Sequence, residues 1–578
     1  MDTEHGTETA TTISGTVGRA EDWTVGSMKM GNVDGHKVMV ARTDSGFHAI
    51  DNACPHQGYG LTTGVLDGQL VTCQWHNWKF DVTTGACVRG EEDVACHRVD
   101  LVDGEVQVTI EVPDQASRQA VLWPSLKRGV ENHYVGQIAR DSVRLLDTGA
   151  TPADILAEGV AATAARAEDG IGHELAMTAD CLALAEIRTG TEQALPVVQG
   201  LAALSEVTRD RPSREVQRPA PEVDVPAAIE VEEVDAAMAG TLGAILEGRD
   251  PETVRRALIE AASAHHLGYG HGIIYTQKSF EFLDRVGWDR APELLPHLAA
   301  RLTYLTREDT LPYMVGAMRQ LAGIDLGMLA ETERADGWEP DELADALLTA
   351  DEAPLTVAAT AAARGAGIDG VLDAVSLGAS TRLLRHDLEI ELDRADPFGW
   401  LDITHALTTA QAARWAWTVA PGPATARAAL FAVWLLFDAG RSERRHGPSS
   451  PDEAIADLLA SSDVSPAATD HGAADGLAQA IKRGNVTEAV VSAATGDREA
   501  VGIALAEASL ADGAGSFIVA AHLVKTAEAA RRESAITDSS LPLVAAARFL
   551  AAPRLERFVT ASVAESVDFV TTGRPPRR

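Results

Sequence analysis

Two cysteines and two histidines share one short stretch, CPHQGYGLTTGVLDGQLVTCQWHN, as Cys54-x-His56 and Cys73-x-x-His76 with sixteen residues between the pairs. Two thiols and two imidazoles at this spacing form a metal-binding donor set, and on chemistry alone they could hold tetrahedral zinc. The remaining cysteines, Cys87, Cys96 and Cys181, are scattered. Cys87 and Cys96 read as small buried residues, and five cysteines so placed do not make a disulfide framework. A second stretch, HHLGYGH, sets His265, His266 and His271 around Gly268 and Gly270. In an unbroken helix His266 and His271 would point about 140° apart. They can share an ion only if the glycines break the helix and re-aim them.

His271 has counterparts. Gly170-x-Gly172-His173 falls on Gly268-x-Gly270-His271, Leu195-Pro196 on Leu295-Pro296, and Thr208-Arg209 on Thr306-Arg307. His522, followed by Leu541-Pro542, begins a third copy, and His405 in DITHALTTAQAARWAW a looser fourth. Such self-similarity predicts repeated helical pairs, each with one histidine near the start of a buried helix. Histidines from several helices facing one centre are how a bundle builds an iron site, normally with carboxylates added. Glu174, Glu260 and Glu507 are the candidate carboxylates, with His265 and His266 as groups surrounding the His173, His271, His405, His522 quartet. Equally, a histidine at a helix start can be no more than a satisfied polar group.

The elements that must position these residues change character along the chain. Residues 11–112 read as β: KVMVARTDSGFHAIDN, QLVTCQWHNWKFDVTTGACV and RVDLVDGEVQVTIEV each turn at a Gly-containing break. From 113 to 575 alanine dominates and apolar residues recur at helical spacing. In GIIYTQKSFEFLDRVGW, Gln277, Lys278, Glu281, Asp284 and Arg285 form a polar stripe on a mostly buried helix. Residues 209–235, rich in proline and charge, read as an internal connector. Residues 310–390 offer helices without chemistry. The expected architecture is a small all-β domain followed by a large all-α domain. A net charge of −36 argues against nucleic-acid and anionic-membrane partners, and the RPPRR tail is the one basic cluster. The first thirty residues lack a signal-peptide core and no apolar run is long enough to span a bilayer, so a cytoplasmic protein is expected.

The first motif, with CQWHNWKFDVTTG, resembles the Rieske [2Fe-2S] domains of ferredoxins and ring-hydroxylating oxygenases over residues 11–112. That resemblance implies a [2Fe-2S] cluster with Cys54 and Cys73 on one iron and His56 and His76 on the other. Rieske subunits of respiratory complexes carry an extra cysteine in each cluster loop, joined as a disulfide. Here Tyr59 and Trp75 hold those places, which implies a lower-potential centre. Gln74 and Asn77 replace the usual proline and glycine, while Trp75, Trp78, Phe80 and Gly85 read as loop packing. Ring-hydroxylating oxygenases bind a further iron through Asp-x2-His-x4-His. His266-x4-His271 reproduces the histidines, but Ser263 stands where the aspartate should, so that spacing reads as coincidence. The helical region is similar to questin-oxidase-like proteins through HHLGYGHGIIY and HLVKTAEAARRE.

These readings describe an oxidoreductase. The cluster takes electrons from a separate NAD(P)H-dependent reductase or a ferredoxin, since no Gly-rich dinucleotide fingerprint follows a strand. It passes them to a second iron held by the quartet, for monooxygenase-like oxidation of a small organic substrate. The alternative is an electron-transfer protein whose helical region is a docking scaffold, with its histidines scattered, or a redox sensor.

Overall fold

The three hairpins form at the expected turns. The computed structural model describes residues 11–216, 218–350, 353–392, 398–446, 471–511, 513–554 and 559–573; the RPPRR tail lies outside them. The described strands are β1 (Thr11–Arg19), β2 (Ser27–Val33), β3 (His36–Thr43), β4 (Gly46–Asp51), β5 (Val65–Asp67), β6 (Leu70–Thr72), β7 (Lys79–Asp81), β8 (Cys87–Arg89), β9 (Cys96–Val102) and β10 (Glu105–Val112). They pair antiparallel into one sheet of order β1-β10-β9-β4-β3-β2 and another of order β5-β6-β7-β8. Asp103 and Gly104 join β9 to β10 with φ of 51° and 81°, the left-handed pair that a two-residue hairpin turn requires.

Strand β3 is buried on both faces, and its alternation divides the core in two. Val38 and Val40 pack with Val33, Ala49, Val106 and Val108. Met39 and Ala41 pack on the other side with Ile50, Leu61, Val71 and Phe80, a cluster that includes Cys54 and Cys73. The smaller sheet is thereby held over the larger one with both cysteines facing apolar side chains. Cys87 is half-buried, whereas Cys96 is exposed, contrary to the expectation of burial. It lies at the start of β9, a strand with no fully buried residue.

The chain turns helical just past Pro113, where Asp114 caps the helix Gln115–Glu131 by accepting from the Ser117 N–H at 2.7 Å. The compact units nevertheless divide later, between Thr151 and Pro152. Helices Gln115–Glu131 and Val135–Asp147 join the β unit because Glu92, in the loop before β9, draws them in. It accepts from Ser125 at 3.4 Å and faces Arg128 and Arg140 at 3.7 and 3.9 Å.

The second unit is built of helix pairs. His173–Glu186 is followed by Ala194–Thr208, His271–Val286 by Ala291–Tyr304, Trp400–Val419 by Pro423–Ala439, and Phe517–Ile536 by Leu541–Ala551. The leading helix of each pair is buried on nearly every face, so its polar side chains must find partners inside the protein. The 209–235 connector is tied to this unit: the Ala220 N–H donates to Ala239 at 2.9 Å and the Arg214 N–H to Ala165 at 2.6 Å. No helix among the described residues is long and apolar enough to cross a membrane.

Candidate metal centres

The two cysteine loops are built alike. The Cys54 N–H donates to the Tyr59 carbonyl and the Gly58 N–H to Cys54, while the Cys73 N–H donates to Trp78 and the Asn77 N–H to Cys73, at 2.7–3.2 Å. Each loop needs a left-handed residue at its fourth step, Gly58 with φ of 77° and Asn77 with φ of 61°. Asparagine tolerates that conformation better than most residues, which explains why it can stand in for glycine there. The thiols of Cys54 and Cys73 adjoin each other in the core, and burial pushes the Cys54 thiol up to about 12. His56 and His76 meet on the outer side with Nδ1 atoms 2.9 Å apart. His76 is exposed, and the His56 ring stacks on Trp78 at 4.9 Å. Tyr59 and Trp75, in place of the extra cysteines, stack across the loops with centroids 4.4 Å apart. Two buried thiols beneath two outward imidazoles form a donor set of the mixed kind that a [2Fe-2S] cluster with unlike irons requires.

His173, His271, His405 and His522 come together in the helical unit, with one ligating atom of each lying within 4.8 Å of the others. Their Nε2 atoms form a chain: His173 to His271 at 3.1 Å, His271 to His405 at 2.9 Å, and His405 to His522 at 3.5 Å. The opposite nitrogens are occupied. His405 Nδ1 donates to the Leu401 carbonyl at 2.5 Å, His522 Nδ1 to Ile518 at 2.7 Å, and His271 Nδ1 to Gly268. The Tyr275 hydroxyl meets His173 Nδ1 at 2.7 Å. A carbonyl can only accept, so three rings carry their proton on Nδ1 and turn a bare lone pair inward. Burial holds all four well below the ordinary imidazole value, His405 at about 3. They are therefore neutral at pH 7, the form that binds metals.

HHLGYGH turns out to be the junction that aims His271. Helix Pro251–Ala264 ends before it and His271 opens the next helix. Gly268, Tyr269 and Gly270 all have positive φ. A Cβ on Gly270 would lie 2.2 Å from Thr409 Oγ1, on the His405 helix, so glycine lets the two helices approach. The loop is pinned by the Gly268 N–H to Thr306 at 2.7 Å and by the Tyr269 hydroxyl to Asp438 at 2.6 Å.

The other candidates do not join the quartet. Glu260 is exposed on its helix and borders a surface cleft with Glu230 and His265. Glu507 pairs with Arg188 at 3.0 Å. Glu174 is buried but folds back to accept the Gly172 N–H at 2.6 Å, a capping role at the start of its own helix. His266 packs against Phe431 and its Nε2 meets no partner. His265 lies between Asp309 and Glu230, at 2.8 and 3.0 Å, and orients no ligand. The break after Ala264 turns Glu260, His265 and His266 away from His271, while Glu174 is held by Gly172 and Glu507 by Arg188.

His265 titrates usefully. The hydrogen bond to Asp309 raises it above 6.5 despite partial burial. Its contribution to stability is thus complete below pH 6.5 and is lost as pH rises through the raised folded value. His265→Gln is expected to melt below the native protein at pH about 6, with the gap narrowing by pH about 9. A gap that widens with pH would contradict this.

Sequence reasoning missed Tyr275, four residues after His271, and Lys525, three after His522; helical spacing from each histidine was the available signal. It also placed no partners on the polar stripe. Lys278 reaches Asp180 at 2.7 Å, Gln277 reaches Gln411 at 2.7 Å, and Arg532 binds Glu281 and, at 2.7 Å, Glu528. This buried network joins the four histidine-bearing helices and fixes their rotation.

Residues 15–105 match the family model described as the Rieske [2Fe-2S] domain. The ferredoxin component of the alkene monooxygenase system of Xanthobacter autotrophicus is 40% identical over 62 residues, 10% of this chain and 50% of that protein. Apoptosis-inducing factor 3 of Mus musculus is 30% identical over 104 residues, 18% of this chain and 17% of that protein. The solved ferredoxin of carbazole 1,9a-dioxygenase from Nocardioides aromaticivorans IC177 is 28% identical, covering 18% of this chain and 99% of its own, with a TM-score of 0.16. The chain spans half or less of these two curated relatives.

Proposed function

We propose that this chain, with a Rieske [2Fe-2S] domain ahead of a large helical unit, is an oxidoreductase that delivers electrons from that domain to a metal ion held by four histidines. Cys54 and Cys73 would hold one iron of the cluster and His56 and His76 the other; the cluster supplies one-electron transfer. His173, His271, His405 and His522 would hold the second ion, iron by preference, for oxygen-dependent oxidation of a small organic substrate. The observation that carries this reading is the facing of bare Nε2 atoms at 2.9 Å and 3.5 Å. With each proton committed to a carbonyl, these lone pairs repel unless a shared cation sits among them. A docking scaffold would have no use for that convergence.

A cleft of about 170 Å³ lies between the helices of His173 and His522, bordered by Met177, Gln199, Phe517 and Ala520 and not by the histidines themselves. Electrons would come from a separate NAD(P)H-dependent reductase or a ferredoxin. Similarity to components of multi-protein oxygenase systems supports this. Five unpaired thiols suit a reducing cytoplasm.

The test is reoxidation. The full chain is reduced anaerobically, mixed with dioxygen and followed by the absorption of the cluster. Reoxidation in His405→Ala should be slower by roughly tenfold or more. Equal rates, or a protein holding two irons and no other metal, would rule the reading out.

A further inference from the structure

One buried charge has no role in that scheme. Lys525 stands three residues after His522 on the helix Phe517–Ile536 and so lies on the same side of it. It is 2% exposed, and its Nζ meets no hydrogen-bond acceptor among the described residues. Its charge bears on all four imidazoles of the quartet. The buried carboxylates nearby do not reach it. Asp180 is the one whose charge bears most on Lys525, but it is bonded to Lys278 at 2.7 Å and neither of its oxygens reaches Nζ. Glu281 is bound by Arg532 and Lys278, and Glu528 by Arg531 and Arg532.

A cation held by neutral imidazoles keeps its whole charge, and one helical turn from His522 stands an amine that burial brings down to about 7 and that no carboxylate binds directly. A buried amine so placed either gives up its proton or is held protonated by a bound anion. We infer that Lys525 Nζ and the histidine quartet form a binding subsite for a small monoanion, held between the quartet's ion and the ammonium. The inference rests on the proposed metal at the quartet. A substrate would then carry an acidic group into the site, and a neutral one would share it with an inorganic anion.

The test uses the full chain loaded with iron, its metal content measured first, and titrated with azide, formate and neutral imidazole. Lys525→Met should hold the same metal yet bind azide and formate about 10–100-fold more weakly, as expected for loss of a charge-assisted hydrogen bond. Imidazole binding should change by no more than about twofold. Methionine suits a buried site, but if Lys525→Met fails to fold, Lys525→Gln removes the same charge and serves the same comparison. Tighter formate than azide would assign the anion to a substrate carboxylate, and the reverse to a free inorganic ion. Unchanged anion affinity in a metal-loaded variant, or an equal loss for imidazole, overturns the subsite alone. Native protein without a second metal overturns instead the reading beneath it.

Discussion

Replacing His271 with alanine is expected to empty the proposed second metal centre while leaving the cluster intact. His271 is the middle of the quartet: its Nε2 stands 3.1 Å from that of His173 and 2.9 Å from that of His405. No carboxylate joins the group among the described residues, so a lost imidazole has no substitute. Removing even a group that merely orients a ligand weakens metal binding about 10–100-fold, and removing a ligand should exceed that. Metal analysis would then show one ion fewer per chain, with the visible absorption of the [2Fe-2S] cluster unchanged. His265→Ala and His266→Ala are the controls, since neither residue belongs to the quartet; both should retain the ion. Retention by His271→Ala would mean that the convergence serves packing and not coordination.

The reciprocal change is Cys73→Ser, which should remove the cluster and its two irons and spare the ion in the helical unit. Cys73 lies in the apolar cluster with Val71 and Phe80. A serine there supplies a poorer iron ligand and buries a hydroxyl, at about 1–3 kcal/mol if left unbonded. Because metal binding is linked to folding, the loss of the cluster should destabilise the β unit further. The readouts are loss of visible absorption, iron content and thermal melting. An unchanged spectrum would displace Cys73 from the ligand set. Together the two variants separate the centres, since each should lose its own metal and keep the other.

Much of this was legible in residue types and spacing. The hairpins declared themselves through Asp103-Gly104 and its kin, because a two-residue turn admits few sequences. The histidine quartet emerged from repeats that place His173 and His271 at the first position of equivalent helices. The carboxylates were not legible. Glu260 and Glu507 lie near the right histidines along the chain, but only the direction of each helix decides what a side chain faces. The polar stripe of Lys278 and Glu281 was legible on a mostly buried helix, but what it faces was not. Its partners, Asp180 and Arg532, are remote in sequence and become visible only once the helices are packed. The tie between the β domain and the two helices that follow it was hidden for the same reason: Arg128 and Arg140 face Glu92 by contacts that composition cannot reveal.

Where related loops are closed by a sulfur–sulfur bond, Tyr59 and Trp75 close these by lying flat on one another. Such a clasp has no redox chemistry, so an excess of thiol or dithionite, enough to charge the cluster, leaves the loops fastened. It is also weaker, about 0.5–1.5 kcal/mol for an aromatic pair against about 2–4 for a typical disulfide. The mouth of the cluster should therefore be loosened by heat or by organic cosolvent, and not by reductant.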